Sequence, residues 1–518
     1  MDGMVHDPMP FPPAHPKGDL QGPAPLGQKD TFAVKTAGGM FHVRWDHQAR
    51  VSANGGVVHF AQFLESAKVF DEWVAECPLS YESNRAHNVR DILGTMMLSA
   101  LNGHRRYAHI TALRGDSVNP QVLNMKQVVS EDTVRRALRR MDGEAARYWQ
   151  ERHLIQTLEP LLSVPWILDV DVTVKPLYGY QEGAIVGHNP HKPGRPSHAL
   201  HTFLLAKARL VLDVHVHPGD QHTSTTTKVD LFNWLEKIPQ RLWPKLLRGD
   251  CGFGNEDMMA WPEAAGISYL FKQRMTVKTK ALVRELDLVD GWVDAGQGWQ
   301  AKESVLRLST WTKTRRAIIL RRPSKPRYLR RKDLISEKEP KQKCIEEFQH
   351  LISDDTFDYQ VLVTSLTDSI SMVAQCYRDR ADAENVFDEL KNEWGWGGFT
   401  SRKLEPCQIA ARIIAQIYNW WSIFVRLASP DHHREMVTAR PLLLHSIVRQ
   451  TTTSGQRVLT ISSTHAKAEK VANFFHRLAS FLNGLHATAE HWTRQRSWEA
   501  LLRKIFASAF SELKPGTS

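Results

Sequence analysis

The run Trp166-Ile167-Leu168-Asp169-Val170-Asp171-Val172-Thr173-Val174 limits the possible folds more than any other stretch. Its β-branched residues predict a strand, and the two-residue period of a strand puts Asp169 and Asp171 on one face. A carboxylate among apolar residues is costly unless it is paired or binds a cation. Such a pair therefore belongs at the end of a sheet strand, where a site can use it. Asp250 falls in a comparable place, ending Lys245-Leu246-Leu247-Arg248-Gly249-Asp250 just before the small residues of CGFG. Strand ends that run into Gly-rich loops are where α/β proteins keep their sites.

Around these acids the pattern is α/β. WILDVDVTV, ALHTFLLAKA and RLVLDVHVH predict three successive strands, KVDLFNWLEKI a helix, KLLRGD a strand, NEDMMAWPEAAG a helix and ISYLFKQ a further strand. The early strands are joined as a meander. From Thr276 to Tyr359 the chain becomes extended and basic, and YQVLVTSL then predicts one more strand. Between Lys313 and Lys343 stand thirteen Lys or Arg against three acids. That imbalance suits a phosphate backbone, although a charge run is commonly a solvated loop.

The segment YRDRADAENVFDELKNEW carries the third acid. On a helix, Tyr377, Arg380, Glu384 and Lys391 fall on one stripe, with Asp388 beside them. Ala383, Val386, Phe387, Leu390 and Trp394 fill the adjoining sector and predict a face packed on a core. Solvated salt-bridge support uses interspersed Glu and Lys pairs, not a Tyr, an Arg and a Lys around one Glu.

The spacing Tyr377-x2-Arg380-x3-Glu384-x6-Lys391 resembles the signature of insertion-sequence DDE transposases of the cut-and-paste group. The stretch Asn189-Pro190-His191-Lys192-Pro193-Gly194-Arg195-Pro196-Ser197 is similar to one common in these enzymes. The resemblance spans roughly residues 50 to 430. It implies an α/β fold with a ribonuclease-H-like mixed sheet and a β-rich insertion ahead of the Glu helix, flanked by N-terminal and C-terminal helical regions. It also implies that Asp171, Asp250 and Glu384 are catalytic and hold two Mg²⁺ or Mn²⁺ ions. Asp169 and Asp171 both remain candidates for the first acid; Asp171 is preferred because Thr173 follows it. Tyr377, Arg380, Lys391, Lys192, Arg195, Arg321, Arg322, Arg330 and Arg331 are the expected DNA contacts. The Trp that stacks on a displaced base in some such enzymes has no assignable counterpart in this sequence, with Trp299 and Trp311 as the candidates.

The chemistry agrees with these residue types. Phosphodiester hydrolysis and strand transfer must stabilise both an attacking and a leaving oxygen, which two hard cations on carboxylates can do. His188, His191, His198 and His201 lack tight ligand spacing and are expected to face DNA or the core. No G-x-x-x-x-G-K-[ST] loop occurs, so no nucleotide cofactor is expected. The expected partners are double-stranded DNA, at terminal inverted repeats and target, and a second copy of the chain. Two other functions fit parts of the sequence. Asp169-Val-Asp171-Val-Thr173 matches the nucleophile motif of haloacid-dehalogenase-like phosphatases, and a catalytically inactive DNA-binding repressor would need only the N-terminal helices.

The expected organisation is a disordered, proline-rich tail (1–30), a mainly helical DNA-binding region (31–164), a catalytic core (165–275 and 360–430), a basic insertion (276–359) and a C-terminal helical region (431–518). Phe60 to Val74 predicts one helix, and helical periods run from His87 to Arg114 and from Ser130 to Leu158. Ser130 predicts an N-cap, with Arg135, Arg136, Arg139 and Arg140 on the solvent side. Lys and Arg total 67 against 56 acids, a formal charge of +11, which favours a polyanionic partner. Five scattered cysteines give no zinc ribbon or disulfide framework. With no membrane-length apolar run or signal pattern, a nucleoid-associated protein of the bacterial cytoplasm is expected.

Overall fold

A computed structural model describes residues 31–82, 87–189, 192–221, 223–324, 357–430, 433–488 and 493–507. Two units are distinguished. Within the first, Thr31–Thr36 and Gly39–Arg44 form an antiparallel hairpin. The second begins at Val51 and holds everything discussed below.

Its centre is a mixed sheet. Strand β1 (Ile167–Pro176) pairs antiparallel with β2 (Pro196–Leu205), which pairs antiparallel with β3 (Leu210–Pro218). Helix α1 (Thr223–Leu235) crosses to β4 (Leu246–Gly249), parallel to β1 on its other side, and α2 (Glu256–Ala265) crosses to β5 (Ser268–Lys272), parallel to β4. Three antiparallel strands followed by two parallel ones, in the order β3-β2-β1-β4-β5, make the ribonuclease-H-like sheet that the family resemblance implied.

The basic stretch after β5 forms helix α3 (Val277–Asp287) and strands β6 (Val293–Gly296), β7 (Trp299–Leu306), β8 (Arg315–Pro323) and β9 (Phe357–Thr364). These strands continue the same sheet. β9 pairs antiparallel with β5, Val363 opposite Phe271, and β8, β7 and β6 follow outward. The edge of β5 is thereby covered, and Val361, Leu362 and Val363 are buried.

The opposite edge, β3, is closed by side chains. Helix α6 (Leu404–Ala428) runs beside it and is buried nearly all round. Asn419 accepts from the Val211 amide at 2.8 Å and donates to the Val211 carbonyl at 2.7 Å. Gln408, three turns earlier, accepts from the Val216 amide and donates to the Val214 carbonyl at 2.7 Å. Two amide side chains thus act as the missing neighbouring strand.

Both helical regions pack on α6. Phe60 meets Trp421 and Phe424 edge-on at 5.3 Å, and Trp73 stacks on Trp149 while meeting Trp420 edge-on at 5.4 Å. From the C-terminal side, Phe506 lies under Arg426 of α6, 5.1 Å from ring centre to guanidinium, and Trp498 donates to the Thr157 carbonyl of the preceding helical region at 2.9 Å. Ser130 caps Glu131–Arg140 through the Thr133 amide, and Arg135, Arg136, Arg139 and Arg140 are all exposed.

Three predicted elements differ. Phe60 to Val74 is two helices, Val57–Ser66 and Val69–Ala75, because Lys68 adopts a left-handed conformation with φ +52°. The segment from Tyr377 to Trp394, read as one helix, is divided between α4 (Ile370–Arg378) and α5 (Ala381–Asn392), and α6 follows after a further break. Gly395, at φ +89°, and the close approach of Gly398 to the Arg105 carbonyl account for the second break. Residues 431–518 contain, besides helices, the hairpin Ile447–Thr453 with Gln456–Ser462, which pairs with Val51–Ser52. Among the described residues no helix is long and apolar enough to cross a membrane.

Asn419→Ala strips both Val211 backbone groups of their partner. Unsatisfied buried polar groups cost about 1–3 kcal/mol each, so the expected loss is roughly 2–4 kcal/mol. Urea unfolding checks it; a loss under about 0.5 kcal/mol would show that the edge is closed in another way.

Candidate active site

The register of two parallel strands sets the site. Asp169 of β1 lies opposite Arg248 of β4, and Val170 opposite Gly249. One residue further along, Asp171 still lies within β1, opposite Thr202 of β2, while Asp250 follows the end of β4, so the expected strand-end position holds for Asp250 and not for Asp171.

The two candidate first acids part company here. Asp169 is 2% exposed and grips Arg248 through both carboxylate oxygens, at 2.6 and 2.7 Å. The same guanidinium donates to the Cys376 carbonyl on α4. Burial works against the Arg248 charge, but Asp169 outweighs it and raises the pKa. Asp169 is thus consumed in a buried ion pair that ties β1, β4 and α4 together. Arg248 was missed in the sequence, although an arginine inside an otherwise apolar strand, two residues before Asp250, is the signal that marks it.

Asp171 is free of that pair. Its Oδ2 accepts from Arg380 at 2.9 Å and its Oδ1 from the Val172 amide at 2.7 Å. Arg380 lies at the junction of α4 and α5, where the helix breaks, and its other terminal nitrogen donates to Glu384 at 2.8 Å. One guanidinium therefore spans the first and third acids. Asp250 sits in the turn after β4, accepting from the Gly252 amide at 2.8 Å. Tyr377, on the last turn of α4, lies under Arg380, ring centre to guanidinium 5.7 Å.

Burial pushes Asp171 up to about 6, against the pull of Arg380 and with added repulsion from Asp250. Burial likewise pushes Tyr377 up to about 12, so its hydroxyl stays a hydrogen-bond donor. Arg380 bonds Asp171 and Glu384 but not Asp250, the ligating atoms of the three acids do not all lie within 4.8 Å of one another, and Glu384 is largely open to solvent at 63% side-chain exposure. An excess of negative charge on hard oxygen donors is the environment a divalent cation of the Mg²⁺ type fits.

The remaining sequence candidates are dispersed. Lys391 lies two turns beyond Glu384 on α5, half-buried, and makes no ion pair among the described residues. Lys192 and Arg195 are exposed on the turn before β2 and cluster on Tyr178, Lys192 through its hydroxyl and Arg195 at 4.9 Å over its ring. Arg321 is occupied within the extension, pairing with Asp287 at 2.6 Å and lying 4.0 Å over Trp292, and Arg322 lies 4.6 Å over Trp299. Arg330 and Arg331 lie outside the described residues. Trp299 and Trp311 are both buried. His198 and His201 are core residues, His188 is exposed and His191 lies outside the described residues.

The family comparison matches residues 42–482 to the transposase DDE domain, group 1. The chain belongs to that family. A DNA-cutting and joining enzyme is what the family implies. Among solved structures, seven chains match. One is a piggyBac transposase in a synaptic complex with hairpin DNA, 10% identical, with a TM-score of 0.34 over 90% of this chain and 87% of that one. No curated protein matches.

Two predictions come from this geometry. Arg248→Met leaves Asp169 as an uncompensated buried charge and is expected to cost about 3–5 kcal/mol, while Asp169→Leu with Arg248→Met recovers most of the loss. Denaturant unfolding of both variants tests this, and equal stabilities would refute it. Because Asp171 titrates near 6, Mn²⁺ bound through it must displace a proton below that pH. Affinity is expected to fall about tenfold per unit as pH drops below about 6 and to level off above about 7; pH-independent binding would exclude Asp171 as a ligand.

Proposed function

We propose that this transposase binds the ends of an insertion sequence, hydrolyses a phosphodiester at each end and transfers the freed 3′-hydroxyl to the opposite strand or to target DNA. The observation that carries the reading is the Arg380 bridge between Asp171 and Glu384, with Asp250 leaving the adjacent strand in step with Asp171. Asp171, Asp250 and Glu384 would hold the Mg²⁺ or Mn²⁺ ions, two per site. When bound, those ions supply Lewis-acid stabilisation of the attacking and leaving oxygens.

The chain's own groups take the other roles. Arg380 orients two of the carboxylates and keeps a positive charge where a scissile phosphate would lie. The Tyr377 hydroxyl, held protonated by burial, donates to DNA or positions a base edge. Lys391 offers a free ammonium along the same helix, and Lys192 and Arg195 contact the backbone from the exposed turn. Two catalytic centres acting on two ends imply a homodimer on DNA. No nucleotide cofactor enters, and a chain acting on chromosomal DNA would work in the nucleoid.

The phosphatase alternative needs Asp169 as nucleophile. That carboxylate is 2% exposed and both its oxygens are bonded to Arg248, so it has no line of attack on a phosphoryl group. The repressor alternative is separated from the enzyme by the test below.

Glu384→Gln in the purified full chain, supplied with Mg²⁺ and DNA carrying the terminal repeat of its own element, should lose end cleavage at least about a thousandfold. End-DNA affinity should stay within about threefold. Cleavage that survives the substitution sinks the catalytic assignment, and wild-type protein that binds without cutting favours the repressor. Replacing Lys192 and Arg195 together by Glu should weaken binding and lower the salt slope by about two. An unchanged slope would remove that turn from the interface.

A further inference from the structure

On the sheet face opposite Asp171 lies a second cluster of ligating side chains that the transposition chemistry does not use. Asp171 pairs with Thr202 across β1 and β2, and the neighbouring pair is Val172 with His201, so His201 points to the other side. There it meets His215 and His217, which alternate along β3, and Asp230 on α1. Among the described residues, His201, His217 and Asp230 are the one group of three whose ligating atoms all lie within 4.8 Å of one another.

The details distinguish this group from an ordinary hydrogen-bond network. His201 is 0% exposed, and its Nδ1 lies 2.7 Å from the Thr227 hydroxyl oxygen, to which an Nδ1–H donates in the tautomer that leaves the lone pair on Nε2. Its Nε2 is buried and has no hydrogen-bond partner. A buried ring nitrogen left unpaired is costly, and its lone pair is what a metal needs. His217 Nε2 and Asp230 Oδ2 share one proton at 2.6 Å. A cation standing in place of that proton would engage both and also satisfy His201.

Outer contacts already orient the ligands. Thr227 fixes the His201 ring. His215 lies 3.5 Å from Asp230 Oδ1 and 3.0 Å from Asp213, and Asp213 is clamped by Arg412 at 2.8 and 3.1 Å. Partners of this kind hold ligand rings and carboxylates in metal sites. The nearby positive charge of Arg412 is spent on Asp213 and Glu151. His217 and Asp230 keep 22% and 15% side-chain exposure, which leaves a way in.

We infer that His201, His217 and Asp230 form a Zn²⁺ site that pins the crossover helix α1 to β2 and β3. Two imidazoles and one carboxylate suit a borderline-soft ion such as zinc, with water in the fourth position. The hard-oxygen set on the other face suits Mg²⁺ instead, so the two sites differ in metal as well as position. The pin acts on the helix that leads into β4 and Asp250.

The test uses the full chain, stripped with chelator and titrated with Zn²⁺ against a chromophoric competitor, with thermal unfolding alongside. Wild type and Asp171→Asn should each bind one tight Zn²⁺, with micromolar or better affinity, and gain several degrees in Tm. His201→Gln and Asp230→Asn should lose tight binding at least about a hundredfold, and with it the Tm gain. Circular dichroism establishes that both variants fold; should one not, Co²⁺ absorption of the wild type decides, intense tetrahedral bands supporting the site and weak octahedral ones refuting it. No tight zinc in the wild type, tight zinc unchanged in both ligand variants, or zinc lost only in Asp171→Asn overturns the inference. The outcome is independent of whether the chain cuts DNA.

Discussion

Everything at the candidate active site depends on the parallel register between β1 and β4. Setting Asp169 against Arg248 neutralises one acid inside the sheet; the next step on the same face then presents Asp171, within β1, and Asp250, just past the end of β4. A one-residue slip would turn every side chain of β4 to the other face. It would bury Arg248 without a partner and send Asp250 away from Asp171. The ion pair that looks like a structural detail therefore guards the register on which the site stands.

The third acid arrives from far along the chain, and its delivery is also an electrostatic matter. Arg380 sits where α4 gives way to α5, bonded on one side to Asp171 and on the other to Glu384. Behind it, Ala383, Val386, Phe387 and Leu390 are buried, so the helix is held by its apolar face and cannot roll Glu384 away. Burying these groups costs free energy that a single guanidinium only partly offsets, which is why Asp171 stays well above the ordinary carboxylate range. Strain of this electrostatic kind is characteristic of sites that bind cations or do chemistry.

Much of this was legible in the sequence because it is written in periods and spacings. The alternation around Asp169 and Asp171 gave the strand, the Tyr377-Arg380-Glu384-Lys391 spacing gave the polar stripe, and the apolar sector beside it gave the packed face. The breaks were less legible. The turn at Asp379–Arg380 and the left-handed Lys68 interrupt helical periods that continue through them, so periodicity alone ran the segments together. The stripe survives the first break only because the junction keeps a near-helical turn, with the Arg380 amide donating to the Tyr377 carbonyl at 3.1 Å. Spacing along the chain also hid the His201, His217 and Asp230 group, whose members come from two strands and a helix.

The sequence by itself determined most element types and buried faces, since those follow from local period and from the cost of charge among apolar neighbours, and it marked the acids only as candidates. Tertiary structure alone decided which of two equivalent aspartates is paired off, which arginine spans the acids and which histidines meet. It also added the strands between Val293 and Pro323, and Phe357–Thr364, to the central sheet. The physical reason is that an ion pair or hydrogen bond between residues tens to hundreds of positions apart is set by strand register and helix packing, and neither leaves a mark in the local pattern.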